Sequence, residues 1–379
     1  MTTLIDRHLK IPKYLQLAEH LRQQIAGGGL QPGDQLPSFS EMKLQFEAAQ
    51  HTVEKAHALL ENDGLIRRAP GRGIFVNHPV PRKFTGIVGF VAPYHMSPQQ
   101  NLAYWGSVLA GMRGEARDRN YHLLLIDNGD RFDQWKKIDG AILCDTHDPR
   151  DPHPGLPQLP SNFPFVSIIN KTPGIACIGW DDFDGTYQLT KHLLELGHRG
   201  IAFLGTFNAG LSQLQQRKEG YLKALQEADI EPDPRWMREV QNRQEWRELQ
   251  TWYVAAGEYY MQRWLEEDWH ELGCTALIAQ NDKVARGAIS ALQTSKIKVP
   301  RDLSVTGFDG LAEDNGVPSL TTIDVPLEEI GRKAMAALLD GLQNPTRVPQ
   351  DITLPITFVN GHSTAPPKGA VMERELVAA

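Results

Sequence analysis

The stretch GLIRRAPGRGIFV, residues 64–76, places three arginines and three glycines around a Pro-Gly turn, between two short apolar runs. A surface hairpin with incidental charge and a hairpin that contacts a phosphate backbone both fit this stretch on its own. Gly71 and Gly73 let the tip approach a neighbouring molecule closely, and arginine neutralises phosphate charge. The residues that precede the hairpin favour the second interpretation.

Three helices are predicted ahead of this hairpin. The first follows from apolar residues at helical spacing, namely Tyr14, Leu17, Ala18, Leu21 and Ile25. The glycines and the proline of GGGLQPGD, residues 27–34, end it. Ser38 or Ser40 caps a second helix that runs to about Phe46. Residues 50–62 form a third helix, which ends at a glycine.

Three helices followed by a hairpin predict a winged helix-turn-helix domain over residues 1–78. In such a domain the third helix enters the major groove of DNA, and the wing lies along the phosphate backbone. Double-stranded operator DNA is therefore the predicted partner. The candidate DNA-contacting residues are Ser38, Gln50, His51, Thr52, Lys55, Arg67, Arg68, Arg72 and Gly73.

Residues 12–77 resemble the N-terminal DNA-binding domain of the GntR family of bacterial transcription regulators. The resemblance rests on LQPGDQLPSFSEM, HTVEKAHALLENDGLI and RRAPGRGIFV. Three positions depart from the family pattern, because Ser40, Gln50 and Glu54 stand where arginines are usual. We expect these changes to weaken phosphate binding and to alter base preference, although Gln50 and His51 can still donate to bases or phosphates. A head that has lost DNA binding stays open as an alternative, and the intact wing arginines argue against it.

The composition is that of a folded protein, and the net charge does not indicate a generally basic nucleic-acid binder. Its net charge is −7, but residues 1–78 carry nine basic and eight acidic residues, so the acidity lies in the remainder. No apolar run approaches a membrane span, and the N-terminus has no secretion signal. Cys144, Cys177 and Cys274 lack metal-ligand or disulfide spacing. The sequence therefore predicts a cytoplasmic protein without membrane, metal or cofactor.

A second domain is predicted over residues 86–362. Two prolines in HPVPRKF predict an extended linker at residues 79–85. Beyond it, apolar strands such as GIVGFVA, GIAFLGT and TALIAQ alternate with amphipathic helices, which predicts an α/β domain with parallel sheets covered on both faces. Its length favours two lobes with a cleft, where a ligand lies beyond the carboxyl ends of the strands. Residues 363–379 are predicted to be a disordered tail.

Residues 86–358 resemble the LacI/GalR regulators and the type I periplasmic sugar-binding proteins. The matching stretches include DGAIL, DDFDGTYQLTKHLLELGHRGIAFLG, RKEGYLKAL, NDKVARGAISAL, VPRDLSVTGFD and PSLTTIDVPLEEIGRKAMAALL, in family order. A GntR-type head joined to such a body is the arrangement of the arabinose-repressor subgroup. The resemblance implies a periplasmic-binding-protein-like fold and a small effector, in the first place a sugar, bound between the lobes.

The resemblance also implies ligand-binding residues. Arg217 matches the family's R-x-x-G-[FY] arginine, Asp309 its hydroxyl-binding aspartate, and Trp252 the aromatic that stacks on a sugar. Of the pair Asn281 and Asp282, we expect Asn281 to contact ligand and Asp282 to cap the next helix. Position alone adds four candidates: Tyr94, Ser97, Tyr104 and Asn170. A surface charge for Arg217, a loop cap for Asp309 and core packing for Trp252 are the structural alternatives.

No catalytic motif points to an enzyme. The chain lacks G-x-x-x-x-G-K-[ST], G-x-S-x-G and H-E-x-x-H, and His192 and His198 are interpreted as structural. We therefore predict a homodimeric transcriptional regulator whose DNA affinity is controlled by a sugar, most simply a repressor released by it. The alternative is a cytoplasmic sugar-binding module whose head serves protein contacts.

Overall fold

A computed structural model describes residues 12–62, 64–77, 84–91, 102–126, 137–144, 163–169, 171, 174–205, 212–239, 253–311, 319–344 and 350–368. The helices are α1 Lys13–Ala26, α2 Phe39–Phe46, α3 Gln50–Asn62, α4 Leu102–Asp118, α5 Asp182–Glu195, α6 Ser212–Glu227, α7 Tyr253–Glu267, α8 Asp282–Thr294 and α9 Leu327–Gln343. The strands are β1 Ile66–Ala69, β2 Gly73–Val76, β3 Ile87–Val91, β4 His122–Ile126, β5 Ala141–Cys144, β6 Phe165–Ile168, β7 Cys177–Trp180, β8 Ile201–Gly205, β9 Met237–Glu239, β10 Ala276–Ala279, β11 Ser304–Thr306, β12 Thr322–Asp324, β13 Ile352–Leu354 and β14 Thr357–Val359.

The N-terminal head is a three-helix unit with a hairpin, as the sequence predicts. Helices α1 and α2 both pack on α3, and β1 pairs antiparallel with β2. Of the two serines proposed as caps, Ser38 caps α2: its hydroxyl accepts from the Glu41 N–H, and the Glu41 carboxylate accepts from the Ser38 N–H at 2.7 Å. The core is made of the predicted apolar positions, including Leu17, Leu21, Met42, Val53, Ala56 and Leu60.

The first lobe of the body is a parallel sheet. Its strand order is β13-β7-β6-β5-β3-β4, and each neighbouring pair is parallel. Helices α4 and α9 pack closely together beside it, because each contributes a glycine at their contact. A Cβ on Gly111 would strike the Glu328 carbonyl, and one on Gly331 would strike the Val108 carbonyl. Small residues thus bring the two helix backbones into direct contact.

The second lobe is a parallel sheet of order β11-β10-β8-β9 with helices on both faces. Alternate residues of β8 show this directly. Ala202 and Leu204 pack with α7 and α8, whereas Ile201 and Phe203 pack with α5 and α6. Since side chains of a strand alternate between faces, both faces of this sheet are buried. The predicted α/β class with parallel sheets is confirmed.

The chain passes between the lobes three times. The first passage follows β7, where α5 begins at Asp182; the second follows β12, and the third separates β13 from β14. Strands β12 and β14 pair antiparallel, with Ile323 opposite Phe358. Bridges at Thr306–Thr321 and Asp309–Asp324 attach β12 to the end of β11. The passages therefore lie beside the carboxyl end of a second-lobe strand.

The predicted disordered tail needs a correction, because residues 363–368 are described and their first part is packed. Ser363 is fully buried; its hydroxyl donates to the Val305 carbonyl and accepts from the Thr321 N–H. The Ala365 carbonyl accepts from His198 Nε2 at 2.9 Å, and His192 Nε2 lies 3.1 Å from the Thr364 hydroxyl. Both histidines thus have structural partners. Residues 369–379, like most of the linker, lie outside the described residues.

The described helices include none that is both long enough and apolar enough to cross a membrane. The cysteines agree with the structural interpretation in two of three cases. Cys144 and Cys177 are buried, whereas Cys274 is half-buried.

His57 of α3 makes the stability of the head depend on pH. It is fully buried, neither ring nitrogen has a hydrogen-bond partner, and its ring meets that of Phe39 edge-on at 5.1 Å. Burial, followed by the charge of Arg68, lowers the pKa of His57 to about 4. The unfolded chain therefore binds the proton more readily, and stability is complete above the ordinary pKa and lost as the pH falls from about 6.5 towards 4.

We expect wild-type protein to lose about 2 kcal/mol of head stability between pH 7 and pH 5 through this residue. His57→Leu removes the titrating ring at similar volume and should abolish that part of the loss. Calorimetric unfolding at both pH values measures it, with the exposed His122→Leu as the matched control. Equal pH dependence in wild type and His57→Leu would contradict the assignment.

Candidate functional site

The exposed face of α3 carries polar side chains in a line. Gln50, His51, Glu54 and Lys55 are all exposed, at positions that share one side of a helix. The Gln50 amide donates to the Glu54 carboxylate at 2.9 Å. Lys55 Nζ lies 5.6 Å from the centre of the Tyr14 ring. This face therefore presents hydrogen-bond donors, hydrogen-bond acceptors, one positive charge and one negative charge to a partner.

The wing presents its three arginines to solvent, each supported differently. Arg67 lies 5.5 Å from the Phe75 ring centre, and Arg68 Nε donates to Glu61 at 2.8 Å. Arg72 is exposed, and its carbonyl accepts from Gln35 at 3.0 Å, which fastens the hairpin tip to the head. The Arg68 pair is a surface ion pair, worth little in stability, so Arg68 can exchange Glu61 for a phosphate at small cost.

Three other predicted contact residues differ in accessibility. Gly73 has φ of 117°, and a Cβ there would collide with the Gln35 side chain, so the tip requires glycine. Ser38 is exposed but its hydroxyl oxygen is engaged in the cap of α2. Thr52 is only 7% exposed. The prediction that Thr52 contacts DNA is therefore not supported by its position, because its side chain faces the head core.

In the body, Arg217 of α6 forms the centre of a buried polar cluster. Its Nε donates to the Asp182 carboxylate at 2.7 Å, and its Nη1 donates to the Gln280 carbonyl. The guanidinium plane lies 3.7 Å from the Phe308 ring centre. Burial opposes the charge of Arg217, but the carboxylates of Asp182 and Asp309 outweigh it, and its pKa is raised. Arg217 is thus no surface charge.

Asp309 lies beside Arg217 without a direct hydrogen bond to it. Its carboxylate is 3.7 Å from Arg217 Nη2, beyond hydrogen-bond range. Burial raises the pKa of Asp309 to about 8; Arg217 opposes this shift, while Asp282 and Asp182 add to it. Its φ of 116° is rare for a residue with a side chain. Strained backbone of this kind concentrates at functional sites.

The helix cap expected at Asp282 is instead supplied by Asn281. Asn281 is the N-cap of α8, and its side-chain oxygen accepts from the Val284 N–H at 2.9 Å. Asp282 is fully buried and instead accepts from the Thr322 hydroxyl at 2.6 Å and the Leu311 N–H at 2.7 Å. The prediction that Asp282 caps the helix is wrong. It ties the Asp309 loop to crossover strand β12.

Two phenols approach this cluster. Tyr104, at the start of α4 in the first lobe, and Tyr253, at the start of α7, are half-buried. Burial and then the charge of Asp309 raise the pKa of Tyr253 to about 12, and the same two causes raise the pKa of Tyr104 well above its ordinary value. The two lobes therefore meet around Asp309. The remaining candidates Tyr94, Ser97, Asn170 and Trp252 lie outside the described residues.

Asp182 and Phe308 belong to the cluster although sequence reasoning missed them. Trp180 Nε1 donates to Asp182 at 3.0 Å, directly after β7 ends. The rule that ligands bind beyond the carboxyl ends of parallel strands was a sufficient signal for Asp182. Phe308 directly precedes Asp309, and only its ring position identifies it.

The cluster suits a polyhydroxylated molecule. A single hydroxyl placed beside Arg217 Nη2 and the Asp309 carboxyl group can accept from the first and donate to the second, and Phe308 fixes the arginine. Within the described ranges, no group of three His, Cys, Asp or Glu side chains is placed to hold a metal ion. The described side chains of the cluster can bind a ligand through hydrogen bonds.

Family models match both parts of the chain. Residues 13–76 match the model described as bacterial regulatory proteins, gntR family, and residues 190–364 match that of the periplasmic binding protein-like domain. The first match ends with β2 of the wing, and the second spans the second lobe together with α9 and β13.

Curated relatives are named as transcriptional repressors. The arabinose metabolism transcriptional repressor of Geobacillus stearothermophilus is 27% identical over 88% of this chain and 92% of its own length. The HTH-type transcriptional repressor PurR of Haemophilus influenzae is 34% identical over 58% of this chain and 62% of its own. Among solved structures, a LacI family transcriptional regulator from Enterococcus faecium with bound ribose is 22% identical, with a TM-score of 0.59 over 74% of this chain and 100% of that one. This last likeness concerns the fold alone.

Replacing Arg217 should leave the buried Asp182 carboxylate without its cation. We expect Arg217→Met, which keeps the volume, to lower the free energy of unfolding of the body by about 3–5 kcal/mol at pH 7. The deficit should shrink at acidic pH, because the pKa of Asp182 is raised by burial and its carboxyl group then becomes neutral. Denaturant unfolding measures it, with the exposed neighbour Gln216→Met as control. Equal stability of the two variants would contradict the role given to Arg217.

Proposed function

We propose that this chain, which joins a DNA-binding head of the GntR family to a periplasmic binding protein-like domain, is a transcriptional repressor released by a neutral sugar. The observation that carries the proposal is the buried Arg217–Asp309 pair, whose donor and acceptor lie side by side without a hydrogen bond to each other and can both bind one hydroxyl. The head of the same chain exposes a polar helix face and a basic wing. The names of the relatives favour a regulator over a head that serves protein contacts.

The head binds DNA through two surfaces with different tasks. Arg67, Arg68 and Arg72 of the wing contact phosphates, which supplies affinity without sequence information. Helix α3 lies in the major groove and reads bases through Gln50 and His51, assisted by Lys55. Ser38 contributes through its exposed position at the start of α2. Thr52 serves to hold α3 on the head.

The acting species is a homodimer in the compartment that holds the DNA, the cytoplasm. Two heads then contact half-sites about 34–36 Å apart, one helical turn, or a multiple of that distance. The body binds its effector without chemical turnover. The lobes close around the sugar, and the change in their angle passes through the linker to the heads. Such control requires different sugar affinities in the closed and open states.

The effector is a sugar without phosphate or carboxylate groups. The charge of Arg217 is already paired with the Asp182 carboxylate, and Asp309 adds no positive charge, so the cluster has no net positive charge to attract an anion. Arg217 already uses its Nε and Nη1 and stacks on Phe308. Only its Nη2 side is left for a ligand, which suits one hydroxyl and not a bidentate acid group. Tyr104, Asn281, Tyr94, Ser97, Asn170 and Trp252 complete the proposed lining.

Removing the wing charges should weaken DNA binding without altering sequence preference. We expect the triple change of Arg67, Arg68 and Arg72 to Ala to lower the slope of log K against log salt by about two to three units, since each phosphate contact contributes about 0.9. Fluorescence anisotropy on promoter DNA at several salt concentrations measures the slope. The matched control changes Arg117, Arg263 and Arg301, exposed arginines of the body, to Ala. An unaltered slope in the wing variant would sink the wing assignment.

Sugar binding should prefer neutral ligands and strengthen as the pH rises. A hydroxyl that donates to Asp309 favours its carboxylate form, and the pKa of Asp309 in the free protein is about 8. Binding therefore releases a proton, and affinity should rise about tenfold or more from pH 6 to 8 and level off above. A thermal-shift screen of arabinose, ribose, glucose and cellobiose against glucuronate and ribose 5-phosphate selects the ligand, and calorimetry gives the profile.

Two comparisons make this test decisive. Asp309→Asn keeps the shape but cannot titrate, so its profile should be flat and its affinity low. The selected sugar should also weaken promoter binding by about tenfold or more. A glucuronate or phosphate preference contradicts the ligand class. Equal DNA affinity with the cleft empty and full contradicts the proposed function.

A further inference from the structure

The exposed face of α3 carries a carboxylate, Glu54, beside Lys55. Its polar members are Gln50, His51, Glu54 and Lys55, and no arginine stands among the described residues 50–62 of this helix. Arginine or lysine bonded to guanine is the commonest base-specific contact in the major groove. Lys55 is the residue of this face that can make that contact, and Glu54 is the member whose chemistry is most restrictive.

Glu54 is held in a defined position by its neighbour one turn earlier. Gln50 donates its side-chain amide to one Glu54 oxygen at 2.9 Å, and both side chains are exposed. The second Glu54 oxygen accepts no described hydrogen bond from another side chain. Gln50 thus directs a carboxylate oxygen outward, on the face that the proposed function places in the major groove.

A carboxylate on this face can bind only a donor. Phosphate oxygens are acceptors and repel it, so Glu54 contributes nothing favourable along the backbone. The base-edge donors of the major groove are the amino groups of cytosine and adenine, and glutamate characteristically accepts from cytosine N4. Adenine sets an acceptor, N7, beside its amino group, which suits an amide and not a carboxylate. Cytosine is therefore the base that matches Glu54.

We propose that Glu54, oriented by Gln50, selects a cytosine in each half-site of the operator. The inference rests on the proposed function, in which α3 contacts DNA. An ordinary surface interaction between residues four apart on a helix, worth a few tenths of a kcal/mol, is the competing account. That account predicts that Glu54 can be replaced without any change in sequence preference.

The experiment selects binding sites from a random duplex library with the full chain in low salt. Anisotropy competition then measures each single-base variant of the selected site. The proteins are wild type, Glu54→Ala, Glu54→Gln and Gln50→Ala. The matched control is Glu19→Gln, which removes the same charge from an exposed position of α1. Circular dichroism melting checks that each exposed substitution leaves the head folded.

Wild type should select one fixed cytosine in each half-site and bind the other bases there about tenfold or more weakly. Glu54→Ala should lose that preference while binding unrelated DNA more tightly, because a repulsive charge is gone. Glu54→Gln should shift the preference to adenine, whose edge an amide matches, and Gln50→Ala should weaken the preference partly. Glu19→Gln should keep it.

Two failures are distinguishable. A selected site with no fixed cytosine, or one whose cytosine preference survives Glu54→Ala, overturns the inference and leaves the regulator intact. A library from which wild type enriches no sequence overturns the proposed function, and the inference falls with it.

Discussion

The buried guanidinium of Arg217 is the constraint on which the cleft depends. It lies between Asp182 and Asp309, whose charged forms burial disfavours, and it is stacked on an aromatic ring. A buried charge is tolerated only when it is paired and hydrogen-bonded. Arg217 is hydrogen-bonded to Asp182 through Nε, whereas its Nη2 is 3.7 Å from the Asp309 carboxyl group and makes no hydrogen bond to it. The Asp309 side is where a ligand gains most by binding, because the donor and the acceptor there are already desolvated.

The same cluster is joined mechanically to the passages between the lobes. Asp282 binds the loop after β11 through Leu311 and binds β12 through Thr322. The Asp309 N–H also donates to the Ile323 carbonyl. A ligand that shifts Asp309 therefore pulls on β12, and β12 pairs with β14, the strand of the third passage. Binding and lobe angle are linked through a handful of hydrogen bonds rather than through the whole body.

The sequence predicted what depends on periodicity and turn chemistry. The three helices of the head, its hairpin and the alternating strands and helices of the body follow from local patterns, and the structure agrees within a few residues. Arg217 and Asp309 followed from family motifs, and they come together in space. The errors have physical causes. The cap of α8 is Asn281 and not Asp282, because both can cap a helix and only the fold supplies Asp282 with Thr322 as a donor. Ser363 was placed in a tail because nothing local shows that Val305 and Thr321 lie beside it.

The energy needed to control such a head is modest. A hundredfold change in DNA affinity corresponds to about 2.7 kcal/mol, and a hydrogen bond to a charged group contributes about 1.5–3 kcal/mol. One hydroxyl that bridges Arg217 and Asp309 in the closed state alone supplies a difference of this size. A helix face that carries Glu54 in place of a cation also keeps the electrostatic part of DNA binding small. In the proposed homodimer, a head bound mainly through a few specific contacts would lose its site when the spacing of the two heads changes slightly, because such contacts tolerate little displacement. The free energy that one bound hydroxyl supplies is therefore sufficient to control a head with few basic residues.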